Sequence, residues 1–273
     1  MSYGVALRNG VPFTLGTIAA LCTNATGSAW SPLSLWPDGI DSPGMWISPR
    51  TLTSEWQDYT GTTPVVTPGT VADTSNPVGL ALDIRAGATV LTDPGNHMLQ
   101  STSAARPLMS AYDGQTLGPG DTYDATGYPI YQKYDGVDDG MATASFTAGT
   151  LTSSMDLQIP VRRDSLTFGV AGIYCLPTVN ANVGIFDQAD SSTPSYQNCG
   201  TPTVWVDGVQ IASNRAALYN ALTAGDWHIL EYRGIDASAW VQIQYSALAN
   251  YIFFAGARGD IMLYPSTDST ADK

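Results

Sequence analysis

Tyr131-Gln-Lys-Tyr-Asp-Gly-Val-Asp-Asp-Gly140 is the stretch from which the fold is read. Tyr131 to Tyr134 predicts a short strand, because aromatic side chains pack well on a pleated surface. The strand runs into an acidic turn, in which Gly136 and Gly140 can supply the positive φ angles of a tight reversal. Asp135, Asp138 and Asp139 place three carboxylates within five residues. Strand follows strand downstream, whereas upstream lies a long Gly/Pro-rich lead-in with little periodicity. The turn is therefore expected to end the opening strand of a β-sandwich.

The downstream sequence supports a sandwich independently. Phe168, Val170, Gly172 and Tyr174 alternate with Thr167, Gly169, Ala171 and Ile173, as in a strand buried on both sides. Thr203-Val-Trp-Val-Asp-Gly-Val-Gln-Ile211 predicts a hairpin with Asp207-Gly208 as its two-residue turn. Trp227 to Arg233 and Trp240 to Tyr245 are further strands, the second with Val241, Ile243 and Tyr245 on one face. Ile252 to Ala255 and Gly259 to Tyr264 add two more, with Gly256 and Gly259 around the intervening turn. Only Asn214 to Leu222 predicts a helix, with Ala217, Leu218, Ala221 and Leu222 on one stripe. Many strands with short turns and almost no helix mean an all-β sandwich or jelly roll.

Composition narrows the function. Charged residues make up 13% of the chain, about half the ~25% usual for soluble proteins. Lysine occurs only as Lys133 and Lys273, so Ser, Thr, Asn, Gln and Gly are expected to dominate the surface. A net charge of −13 and a pI near 4.2 argue against nucleic acid, whose phosphates are bound by Lys and Arg. The same balance disfavours anionic membrane surfaces. Cys22, Cys175 and Cys199 form neither a disulfide framework nor a zinc spacing, although a Cys175–Cys199 bridge stays open. Thr17 to Cys22 is apolar but far shorter than the ~20 residues of a membrane span. With no secretory pattern at the N-terminus, a protein made in the cytoplasm and not inserted in a membrane is expected.

Residues 1–37 carry no charge between Arg8 and Asp38 but contain Val5, Leu7, Val11, Phe13, Leu15, Ile18, Leu21, Trp30, Leu33 and Trp36. Disordered tails are polar and charged, so this segment has to be covered. Two readings follow: a strand lining its own domain, or an arm docking onto a neighbouring subunit. Residues 38–128 are rich in turn signals, among them Asp41-Ser-Pro-Gly44, Thr67-Pro-Gly69 and Asp93-Pro-Gly95, and predict an irregular segment wrapped on the sandwich. A short helical turn is expected at Ser48 to Trp56. The sandwich itself is assigned to 129–265, and 266–273 to a polar tail.

Three blocks carry a resemblance: Pro43-Gly-Met-Trp-Ile-Ser-Pro-Arg-Thr-Leu-Thr-Ser-Glu-Trp-Gln-Asp-Tyr-Thr-Gly-Thr-Thr-Pro-Val65, Asn76-Pro-Val-Gly-Leu-Ala-Leu-Asp83 and Gly95-Asn-His-Met-Leu-Gln-Ser-Thr-Ser-Ala-Ala-Arg-Pro107. They resemble segments of tailed-bacteriophage structural proteins. In that family they precede a concanavalin A-like (laminin-G-like) sandwich that opens with a phrase similar to Tyr134-Asp-Gly-Val-Asp-Asp139. The match in order runs from about Pro43 to the C-terminus and departs from the pattern by insertions at Ala86 to Pro94 and Ser110 to Tyr128. The resemblance implies a virion component and no catalytic residue.

Catalytic constellations are missing from the sequence. Glycoside hydrolysis needs two carboxyls roughly 5–10 Å apart, and similar sandwiches carry Glu and Asp alternating on one strand. Here Glu55 and Glu231 are the sole glutamates, and Glu231 has no acidic residue two positions either way. No Gly-x-Ser-x-Gly elbow occurs, and His97 and His228 lie far apart. Asp135, Asp138 and Asp139 are the one metal candidate, for Ca²⁺; the competing reading, which we favour, is that these side chains bond nearby N–H groups and fix the turn. Trp205, Trp240, Tyr196 and Asn198 are available for sugar contact, although such aromatics serve a core equally well. The expectation is a non-enzymatic virion protein (tail fibre, baseplate or collar appendage, or capsid decoration). It would be attached through Val5, Leu7, Val11, Phe13, Leu15, Ile18 and Leu21, with other virion proteins and copies of itself as partners. The alternative is a carbohydrate-binding module for host glycans; a glycan-degrading enzyme comes third.

Overall fold

The computed structural model describes residues 32–49, 54–65, 76–111, 130–164, 173–175, 181–186, 192–246 and 254–266. Its strands are β1 (Met45–Ile47), β2 (Glu55–Trp56), β3 (Leu80–Ala81), β4 (Met98–Leu99), β5 (Leu108–Ala111), β6 (Ile130–Asp135), β7 (Met141–Thr143) and β8 (Met155–Arg163). They continue as β9 (Ile173–Cys175), β10 (Ala181–Val183), β11 (Tyr196–Gln197), β12 (Thr203–Val206), β13 (Val209–Ile211), β14 (Trp227–Ile235), β15 (Ile243–Tyr245), β16 (Ala255–Arg258) and β17 (Ile261–Pro265). The one α-helix among the described residues is α1 (Arg215–Ala221). One sheet has the order β13-β12-β14-β8-β16-β6-β5, with β17 also on β8 and β1 on β17; the other runs β11-β10-β9-β15-β7-β4-β3-β2. All strand pairings are antiparallel.

Strand β8 is the spine of the first sheet. Its Met155, Leu157, Ile159 and Val161 enter the core, while the residues between them face the other way. Along one edge it pairs first with β17 and then with β16, and the register shifts between them. The break lies at Pro160, which has no N–H to donate. Its carbonyl accepts the Gly259 N–H at 2.8 Å, so its missing donor faces the gap between the two strands. One hydrophobic cluster draws on β8, β12 and β14 of one sheet and on β7, β10 and β15 of the other, so the sheets share a core. The all-β expectation is met.

Local sequence signals account for the hairpin and the helix. Asp207 (φ 52°) and Gly208 (φ 77°) form the turn between β12 and β13, the backbone sense that a two-residue hairpin requires. Asn214 caps α1 by accepting the Ala217 N–H at 2.8 Å, and Leu218 and Leu222 are buried. Three expectations are corrected. Gly256 lies inside β16 and not in a turn; a Cβ there would meet the Arg162 carbonyl at 2.1 Å, because strand and neighbour approach so closely. Glu55–Trp56, expected in a helical turn, is strand β2. The lead-in is no mere wrapping, since β1 to β5 join both sheets and β6 is not the opening strand. Of the strand expected near Phe168, only 173–175 falls among the described residues, and of the polar tail only Ser266.

Two buried polar clusters hold the lead-in in place. In the first, Asp83 receives Arg85 through Nε and Nη2 (2.7 Å to Oδ2), together with the N–H groups of Trp46 and Asn96. Arg85 Nη1 donates to Ser42 O, and the guanidinium lies over the Trp36 ring. Trp36, assigned above to the arm, is 2% exposed, stacks on Trp46 and donates from Nε1 to Leu263 O at 3.1 Å. His97 accepts the Asp83 N–H on Nδ1 and so carries its proton on Nε2, which donates to Asp93 O. Its role is structural.

The second cluster lies between the sheets. Arg258 is fully buried and donates through Nε to Tyr134 Oη (3.0 Å), through Nη1 to Gly259 O, and through Nη2 to Gln132 Oε1. Gln132 in turn donates to Glu55 Oε1 at 2.8 Å, joining β6 to β2. Glu55 Oε2 has no hydrogen-bond partner. Burial pushes the Glu55 carboxyl up to about 8, against the pull of the Arg258 charge and the Gln132 hydrogen bond.

The folded protein therefore keeps a proton on Glu55 from the ordinary 4.5 up to about 8, where the unfolded chain has lost it. Stability falls as pH rises through that window. Asp93, held below the usual carboxylate range by the Thr89 and Val90 N–H groups, acts only at lower pH. The melting temperature should decline from pH 5 to pH 8; burial raises Asp139 as well, to about 7, so Glu55→Gln should flatten the decline chiefly between pH 7 and pH 8. A wild-type melting temperature that rises across this range would contradict the assignment.

Candidate functional site

The acidic turn joins β6 to β7, with Gly136 at φ 78°. Asp135 Oδ1 accepts the N–H groups of Val137 (2.7 Å) and Asp138 (3.3 Å), and Asp139 Oδ2 accepts that of Asp135 (2.8 Å). One oxygen from each of Asp135, Asp138 and Asp139 lies within 4.8 Å of the others. Burial raises the Asp139 carboxyl to about 7; the Asp135 N–H opposes the shift, and the Asp135 and Asp138 charges add to it. Three carboxylates offer a hard cation such as Ca²⁺ part of the about six to eight oxygens it takes. The internal hydrogen bonds account for the turn by themselves, as an Asx arrangement does.

The residues proposed for sugar contact do not come together. Trp240 is 1% exposed and belongs to the core, where an expected strand face is instead the turn before β15. Tyr196 packs against the core from β11, an edge strand of the second sheet, and exposed Asn198 follows it at φ 51°. Trp205 lies on β12 of the first sheet with the Arg233 guanidinium 4.3 Å from its ring centre, so that face is already covered. Cys199 is a free, buried thiol, so no Cys175–Cys199 bridge forms; burial pushes it up to about 12, which makes it unreactive.

Two constellations could not be seen in the sequence. The pairing of β8 with β14 sets Glu231 against Gln158 and Arg233 against Asp156, which makes Glu231 and Asp156 diagonal neighbours on one face. Both are engaged: Glu231 pairs with Arg233 at 2.5 Å, and Asp156 accepts the Gly234 N–H and the Ser266 hydroxyl. Asp207, His228 and Thr223 line up as an acid, an imidazole and a hydroxyl, at 2.7 Å and 2.9 Å. This is not a catalytic relay. His228 Nε2 already accepts the Thr223 backbone N–H at 3.1 Å, and the Thr223 hydroxyl also reaches Asp226. Burial works against ionisation of Asp207, but the His228 and Ile229 hydrogen bonds outweigh it and hold its carboxyl below the usual range. The cluster clasps the β12–β13 hairpin to the start of β14.

No family model, curated protein or solved structure matches the chain. Among the described residues no helix is long and apolar enough to cross a membrane. Val5, Leu7, Val11, Phe13, Leu15, Ile18 and Leu21 lie outside the described residues.

The turn reading distinguishes two of the aspartates. Asp139→Ala removes the acceptor of a backbone N–H and should cost about 1–3 kcal/mol in chemical denaturation. Asp138→Ala, at an exposed side chain, should stay within about 0.5 kcal/mol of wild type. A calcium-dependent rise in melting temperature that both substitutions abolish would instead assign the three carboxylates to a cation.

Proposed function

We propose that the chain is a non-enzymatic structural component of a tailed-bacteriophage particle, with a concanavalin A-like sandwich as its body and residues 1–31 as its attachment arm. An appendage of the tail, baseplate or collar suits it better than capsid decoration. The observation that carries the reading is where the phage-like blocks lie. Pro43 to Val65, Asn76 to Asp83 and Gly95 to Pro107 supply β1 to β4, Glu55 of the inter-sheet cluster and Asp83, the acceptor of Arg85. These blocks are thus built into the body, which leaves the preceding segment to make outside contacts. Within residues 1–31 the one charged side chain is Arg8, set among large apolar residues. Such a segment gains by burial against another surface, at about 25 cal/mol per Å² of apolar area.

The polar groups of the body also support a scaffold role. Arg106 donates to the carbonyls of Gln100, Gln57 and Ser101, holding loops that have few ladder bonds of their own. Asp58 does the same for the turn after β2, accepting the N–H groups of Thr60, Thr62 and Thr63. Deleting Met1 to Ser28 should leave the melting temperature within a few degrees of wild type and abolish incorporation into particles assembled in infected cells. Normal incorporation of the truncated protein would contradict the arm.

A further inference from the structure

Arg163 ends β8 on the face that turns into the core, two residues beyond Val161. It is 4% exposed, and its Nε and Nη1 have no hydrogen-bond partner. Nη2 donates to Tyr219 O at 3.3 Å. The guanidinium carbon lies 4.0 Å from the Tyr219 ring centre and 5.4 Å from that of Phe186. These rings attract the charge, but they offer Nε and Nη1 no acceptor. Arg85, Arg162 and Arg233 each reach a carboxylate within 3.0 Å. Among the described residues Arg163 has no such partner.

The same neighbourhood holds a cavity. Val161, Phe186 and Leu222 are among the walls of a space of about 20 Å³ between the sheets. Val161 shares the face of Arg163, the Phe186 ring touches its guanidinium, and Leu222 follows Tyr219 by one helical turn. A volume of about 10–15 Å³ is already enough for one water-sized particle. Apart from Tyr232 and Tyr245, the side chains lining the cavity are hydrocarbon, and the Tyr232 hydroxyl is bonded to Ser195. A water needs roughly two to four polar partners, for its own hydrogens as well as its oxygen. A simple anion has no hydrogens to place and requires only donors.

We propose that Arg163, where it meets this cavity, binds a small monovalent anion of chloride size. The anion accepts an N–H from Nε or Nη1 and balances a guanidinium that burial has removed from water. Phosphate, sulfate and the carboxylates of larger molecules do not fit the volume. The net charge of −13 works against the entry of any anion, so occupancy depends on the salt around the protein. The site is distinct from the acidic turn between β6 and β7, and it does not depend on attachment to a particle.

The test follows the melting temperature of the full-length protein as sodium chloride replaces sodium gluconate at constant ionic strength. Gluconate carries the same charge but is too large for the cavity. Wild type and Arg163→Met are compared from roughly 3 mM to 300 mM chloride, because a ligand of the folded state alone stabilises it by mass action. Wild type is expected to gain about 3 °C or more relative to Arg163→Met across that range. If Arg163→Met does not fold, wild-type crystals soaked in sodium bromide decide alone, with an anomalous peak expected in contact with Nε or Nη1. An equal response of the two proteins to chloride, or no anomalous peak at Arg163, overturns the proposal. None of these outcomes bears on particle incorporation.

Discussion

A guanidinium buried between two sheets imposes conditions on everything around it. Arg258 cannot leave water without acceptors for its donors, since a buried donor left without one costs about 1–3 kcal/mol, and more for a charged group. The chain meets that demand from distant places: Gln132 and Tyr134 on β6, the Gly259 carbonyl, and through Gln132 the carboxyl of Glu55 on β2. Two residues on, Asp260 accepts the Trp46 indole and the Ser48 hydroxyl, which draws in β1 and the residue after it. The bulge where β16 gives way to β17 therefore gathers the lead-in and both sheets at one point. The sheet topology, with five lead-in strands divided between the sheets, follows from that gathering.

The scarcity of charge takes on a different meaning in this light. Arg85, Arg162, Arg163 and Arg258 are all buried. Their planar forks serve as internal braces, stacked on aromatic rings or bonded to carboxylates and carbonyls. These four arginines thus place positive charge inside the fold, while acidic residues predominate in the whole chain. The same arrangement contributes to the pH response, because burial beside the guanidinium lets Glu55 hold its proton up to about pH 8.

Much of the C-terminal half was legible in the sequence because its signals are local. Asp207-Gly208 specifies a hairpin turn through backbone sense, and Asn214 announces a helix through its cap. The lead-in was not legible for a physical reason. Strands of two to four residues, such as Glu55–Trp56 and Leu80–Ala81, are too short to display an alternation, and they are held by partners remote in sequence. Gln132 meets Glu55 across 77 positions and Arg258 across 126. Trp240 was misplaced because its segment turns before β15 begins, and Gly256 because a glycine inside a strand mimics a turn. The carboxylates of Asp135 and Asp139 were legible as a cluster, but the hydrogen bonds that make them a turn could only be seen in three dimensions.

The central claim is that this inter-sheet cluster makes the lead-in and the two sheets a single cooperative unit. Native-state hydrogen exchange tests it directly, by comparing the lead-in amides of Val78, Leu82 and Gln100 with amides in β8 and β14 as denaturant is raised. The account predicts one opening free energy and one denaturant dependence for both groups. Lead-in amides that exchange through a separate, smaller opening while β8 and β14 stay protected would contradict it.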